Sequence, residues 1–209
     1  MKKGKKKSIA LRLLKVFGIL LFAMLNWACH NEYTPKPHGY FRIDLPEKKY
    51  QKLDSVNYPY NFAYPIYGTI REDKSRIAEP FWIDVVFPQF KARIHISYSN
   101  IDTDIEDFFE DCRELAYKHT IKADAIQEKI FENHDKRTFG ILYKISGNAA
   151  SSVQFFLSDS IQNHIRGALY FNVHPNKDSL APVLNFLSED IIRLIETFEW
   201  KKRKKTESM

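Results

Sequence analysis

Two cysteines in 209 residues are too few for a disulfide framework. Glycine is also scarce, seven in all, and the chain has no GxSxG, no glycine-rich phosphate loop and no EF-hand loop. The histidines, at positions 30, 38, 95, 119, 134, 164 and 174, are spread so that no two fall within five positions of each other, and HExxH is absent. A zinc site would have to be built from distant segments, so no metal, no cofactor and no enzymatic activity is expected. Acid is missing from Met1–Lys15, which carries seven Lys/Arg. A run long enough to cross a bilayer is missing too. Val16–Leu25 is apolar for ten residues, about 15 Å of helix against a hydrocarbon core of about 30 Å.

A basic stretch followed by a short apolar run is the pattern of an export signal. It ends at Ala28-Cys29, a small residue directly before cysteine. This is similar to a bacterial lipoprotein signal, in which the cysteine becomes the first mature residue and carries diacylglycerol on its sulfur, with fatty-acyl groups such as palmitate completing the anchor. Leu25 stands four residues before Cys29, with Asn26 at the place where leucine is usual and Trp27 between. The competing readings are a secretory signal with an incidental cysteine, or an uncleaved anchor.

Residues 1–28 take seven of the 32 basic residues with them, leaving 25 against 26 acids. Five of those 25 sit in Lys201–Lys205, so the body is mildly acidic and nucleic-acid binding loses its support. The 181 residues that remain are enough for one domain, expected over 39–200 after a tether at 29–38, with a basic tail at 201–209.

Alternation of polar and apolar residues predicts strands at Tyr40–Leu45 and Lys91–Tyr98, an aromatic run bracketed by prolines predicts one at Tyr58–Pro65 with a further one at Tyr67–Arg71, and the near-continuous hydrophobic run Phe81–Phe87 predicts a strand joined to Lys91–Tyr98 by Pro88-Gln89-Phe90. Thr103 and Glu106 have the spacing of a capping box, and Ile105, Phe108, Phe109, Cys112, Leu115 and Ala116 share one face of a helix running to about His119. Cys112 is therefore expected as a small buried apolar residue. A shorter helix is predicted over Ala123–Phe131. Three meander strands follow at Thr138–Ser146, Ala149–Leu157 and His164–Asn172, and a long amphipathic helix closes the chain at Leu180–Trp200, with Pro182 in its first turn. The expected fold class is α+β, an antiparallel sheet covered by helices in a layered sandwich. In element order it is similar to the PsbP-like and Mog1 proteins.

Two polar groups are candidates for interaction. One is Lys118, His119, Lys122 and Asp124 after the first helix, where basic residues suit a helix C-terminus and Asp124 suits the start of the next helix. The other is Ser151, Ser152, Gln154 and Arg166 on the polar faces of two meander strands. A hydrolase would need His119, Asp124 and a serine to meet; a ligand-binding protein would need a groove for peptide or glycan at Ser151, Gln154 and Arg166.

The segments YTPKPHGYFRIDLP (Tyr33–Pro46), FPQFKARIHISY (Phe87–Tyr98), LAYKHTIKADAI (Leu115–Ile126), AASSVQFFLSDS (Ala149–Ser160), RGALYF (Arg166–Phe171) and DSLAPV (Asp178–Val183) resemble the gliding motility lipoprotein GldD family of Bacteroidota. The resemblance implies an envelope lipoprotein, membrane-anchored through Cys29 and facing the periplasm. It also implies work by protein–protein contact within gliding machinery tied to type IX secretion, with neither nucleic acid nor a small-molecule substrate as partner.

Overall fold

The computed structural model describes residues 15–18, 43–53, 56–100, 105–118, 123–147, 149–173 and 177–201. The chain divides into two units at Tyr40 and Phe41. Of the first unit only residues 15–18 are described, and they are helical. No described helix is long and apolar enough to cross a membrane. Cys29, Thr103 and most of the basic tail lie outside the described residues.

The second unit holds eleven strands among the described residues. They are β1 (Tyr50–Lys52), β2 (Tyr60–Asn61), β3 (Ala63–Pro65), β4 (Thr69–Glu72), β5 (Ile83–Phe87), β6 (Ala92–Asn100), β7 (Ala123–Asn133), β8 (Thr138–Gly147), β9 (Ser151–Ser158), β10 (Asn163–Phe171) and β11 (Glu199–Trp200). Helix α1 (Ile105–Tyr117) lies between β6 and β7, and α2 (Lys177–Thr197) follows β10. Seven strands form one antiparallel sheet in the order β4-β5-β6-β10-β9-β8-β7, while β1 pairs with β3 and β11 with β2.

Successive residues of a strand point to opposite faces, so the sheet buries two separate layers. On one face Ile83, Val85, Ile94, Ile96, Val153, Phe155 and Leu169 pack under Val183, Leu187, Ile191, Leu194 and Phe198. The apolar stripe of α2 covers this larger layer. On the other face Tyr143, Ile145 and Phe156 meet Cys112 and Ala116 of α1. Helices on both faces of an antiparallel sheet make the α+β sandwich that the element order predicts.

The β1–β3 hairpin is tied to α2 by a buried carboxylate. Asp190 is 1% exposed and accepts from the Lys48 ammonium at 3.0 Å, the Tyr50 hydroxyl at 2.8 Å and the Tyr67 hydroxyl at 2.6 Å. Lys48 also donates to the Phe186 carbonyl and pairs with Glu189. Burial, then the bond to Asp190, pushes both tyrosine hydroxyls well above the usual range.

Four predicted elements are corrected. Ala123–Phe131 is strand, not helix: Ile126 and Phe131 point to opposite faces, each onto a different core layer, and nine residues of β7, Ala125–Asn133, hold one register with β8. Tyr58–Pro65 is not one strand. It changes partner at Phe62, so that Tyr60–Asn61 pairs with β11 and Ala63–Pro65 with β1. Ile43–Leu45, the described part of the first predicted strand, belongs to no strand. The last helix stops at Thr197, where Phe198 turns inward and β11 begins.

Candidate functional site

Beneath α1 the sheet carries a polar layer. Tyr143 of β8 stands directly opposite Gln154 of β9, and Phe156 opposite Arg166 of β10, so the four share the face that α1 covers. Gln154 and Tyr143 are fully buried. One guanidinium nitrogen of Arg166 donates to Gln154 Oε1 at 3.4 Å, and the Arg166 head lies 5.9 Å from the Phe156 ring centre. Phe108 of α1 lies tilted against His164 at 4.1 Å between ring centres and meets Phe156 edge-on.

Three buried donors in this layer, the Tyr143 hydroxyl, Gln154 Nε2 and Arg166 Nε, have no acceptor among the described residues. Burying a donor without a partner costs about 1–3 kcal/mol. The Tyr143 hydroxyl is pushed up to about 12, chiefly by burial and then by Glu128. Cys112, the one described free cysteine, lies in the same layer. Burial pushes its thiol up strongly, against a smaller opposing pull from Arg166, and a neutral buried thiol is a poor nucleophile.

The same sheet face continues past α1 onto β4, β5 and β6. There the His95 ring nitrogen Nδ1 lies 2.9 Å from Asp84 Oδ1, and Arg93 reaches the other carboxylate oxygen at 3.6 Å. The Trp82 ring meets His95 edge-on, and its indole N–H donates to the Tyr98 carbonyl. A cleft of about 520 Å³ adjoins this cluster, lined in part by Arg71, Asp84, Lys91, Arg93 and Tyr170. Three cations against one acid give it a basic character.

Of the expected site residues, the structure brings together Gln154 and Arg166. Ser151 is buried and its hydroxyl donates to the Val153 carbonyl at 3.1 Å, an internal bond that closes its strand end. Ser152 is partly exposed on the same strand. Lys118 ends α1 on the surface, 4.0 Å from Glu114. Asp124 is exposed at the bulged start of β7, two strand spacings from β9, about 10 Å away. His119 and Lys122 lie outside the described residues. Ser151 and Asp124 thus do not meet, and among the described residues no group of His, Cys, Asp and Glu is placed to hold a metal.

Sequence reasoning missed the Asp84–His95–Arg93 cluster and Tyr143. The signal for the first was present. Once Pro88–Phe90 closes the β5–β6 hairpin, Asp84 and His95 fall opposite each other on the polar face.

No curated protein shows a significant match to this chain. Among solved structures, the solution structure of cyanobacterial PsbP (CyanoP) from Synechocystis is similar over 79% of this chain and 99% of its own, at 9% identity and a TM-score of 0.45. The family described as gliding motility lipoprotein GldD matches residues 30–200, nearly the whole folded unit and the segment leading into it. The chain belongs to the gliding motility lipoprotein GldD family.

Proposed function

We propose that this lipoprotein is anchored through Cys29, faces the periplasm, and serves gliding as a protein-binding part of machinery linked to type IX secretion. The observation that carries the reading is where the family match falls: it starts at residue 30, directly after the cysteine that closes the export signal, and runs to the end of β11. A lipid on that thiol would moor the folded unit at a membrane, since each buried methylene contributes about 0.8 kcal/mol and two or more chains hold permanently. What the moored unit offers is surface. Its described histidines are engaged in ring contacts or ion pairs, and the buried polar layer is closed over by α1.

The test is complementation of a strain lacking the gene with a Cys29→Ser chain that keeps the export signal. Soluble, folded protein in the periplasm together with loss of gliding is the expected result. Full gliding by a chain shown to be unanchored would overturn the proposal.

A further inference from the structure

The longest strand among the described residues is at the rim of the sheet. β7 runs for eleven residues and pairs with β8 along one side; no other strand among the described residues takes its outer side. At about 3.3 Å per residue it presents an edge of about 36 Å with backbone donors and acceptors directed outward. The opposite rim, β4, is only four residues long. Ile130, in the middle of the outer half of β7, is 67% exposed.

We propose that the outer edge of β7 accepts an extended segment of a partner protein, added as a further antiparallel strand, in which apolar and basic residues alternate along one face, at every second position of its sequence. The inference rests on the interaction reading above and names the surface and the partner's chemistry. Ile126, Glu128, Ile130 and Glu132 share one face of β7, because side chains alternate. A strand laid beside them places one side chain directly opposite each. An apolar residue satisfies Ile130, and lysine or arginine satisfies Glu128 and Glu132. Glu128 is positioned for this by the Tyr117 hydroxyl, which donates to it at 3.0 Å. Lys129 points to the other face and folds over the Phe131 ring at 4.8 Å, so the one cation between those acids does not face the same row.

A second copy of the chain fits poorly. Two-fold pairing of β7 with itself that sets Ile130 against Ile130 sets Glu128 against Glu132 twice. The register that sets Ile126 against Ile130 sets Glu128 against its own copy. Like charges directly opposite destabilise a pair of strands, so the acids on this edge discourage self-pairing while they favour a basic partner.

Amide exchange read by mass spectrometry on the full chain tests the edge. The probe is the synthetic nine-residue peptide Val-Ser-Lys-Ser-Val-Ser-Lys-Ser-Val, whose valines and lysines share one face of an extended strand, with the peptide carrying glutamate in place of lysine as its control. Slower exchange confined to β7 with the lysine peptide is expected, and the exposed double variant Glu128→Lys/Glu132→Lys weakens its binding about fivefold, the scale of two cross-strand charge pairs. Equal protection by both peptides, no protection of β7, or a dimer of the free chain joined through β7 overturns the proposal. In living cells, a photoreactive side chain at Ile130 is expected to capture a lysine- or arginine-bearing extended segment. Capture of envelope proteins from a reference position at the exposed Ile66 alone overturns the edge and leaves the interaction reading standing. Capture from neither position overturns both.

Discussion

Single residues carry unusual weight where charge is buried. Asp190 has three donors around it and no exposed surface to fall back on, so removing the carboxylate leaves Lys48, Tyr50 and Tyr67 without their shared acceptor. Asp190→Ala is expected to lower unfolding free energy by about 3 kcal/mol, because breaking a buried ion pair strands the other partner. Chemical denaturation with an unchanged slope checks it; a loss below 1 kcal/mol would show that Lys48 turns to Glu189 at little cost. Tyr143 is the reverse case. Its hydroxyl is buried without an acceptor, so Tyr143→Phe removes a liability and keeps the ring edge-on to Phe156. Stability equal to or up to about 1 kcal/mol above the parent is expected from thermal unfolding; a clear loss would mean the hydroxyl is satisfied after all.

Elements are decided by partners as much as by their own residues. The β5–β6 hairpin was legible because a proline-led turn separates one strand apolar but for Asp84 from one that alternates. Helix α2 was legible because its stripe repeats over five turns. β7 was not, since Ile126, Ile130 and Phe131 satisfy helical spacing as well, and only β8, itself a good strand, breaks the tie. The candidate site divides the same way. Gln154 and Arg166 could be read as polar positions on meander strands, but their burial under α1 depends on tertiary packing that no local pattern states.

Two turn and strand details make separate predictions. In the β9–β10 turn, burial alone would raise the Asp159 carboxyl, but the Asn163 amide and the backbone N–H groups of Asn163, Gln162 and Ile161 outweigh it and hold the group below its ordinary value. A depressed folded value means the stabilisation is present above the unfolded value, about 3.9, and is lost as pH falls through the folded one. The stability gap between parent and Asp159→Asn should therefore be constant near neutrality and shrink below about pH 4; a gap unchanged down to pH 3 would refute it. In β10, a methyl on Gly167 would run into the Phe155 ring lying across it. Gly167→Ala should destabilise by about 1–3 kcal/mol in the same denaturation assay.

At the scale of the whole molecule, the chain combines a basic, apolar leader ending at Cys29 with a sandwich whose chemistry-bearing side chains are mostly engaged with one another. Among the described residues, a basic cleft on β4–β6 and the outer rim of β7 are surfaces that can meet other molecules. Membership of a lipoprotein family makes mooring at a membrane the property on which the proposed function turns. Intact mass measurement of the native chain extracted from the envelope tests it most directly. The expected result is a chain that begins at Cys29 and is heavier than its sequence by a diacylglycerol group and further acyl groups. A chain that keeps its leader, with an unmodified sulfur at position 29 and recovered from the cytosol, would contradict it.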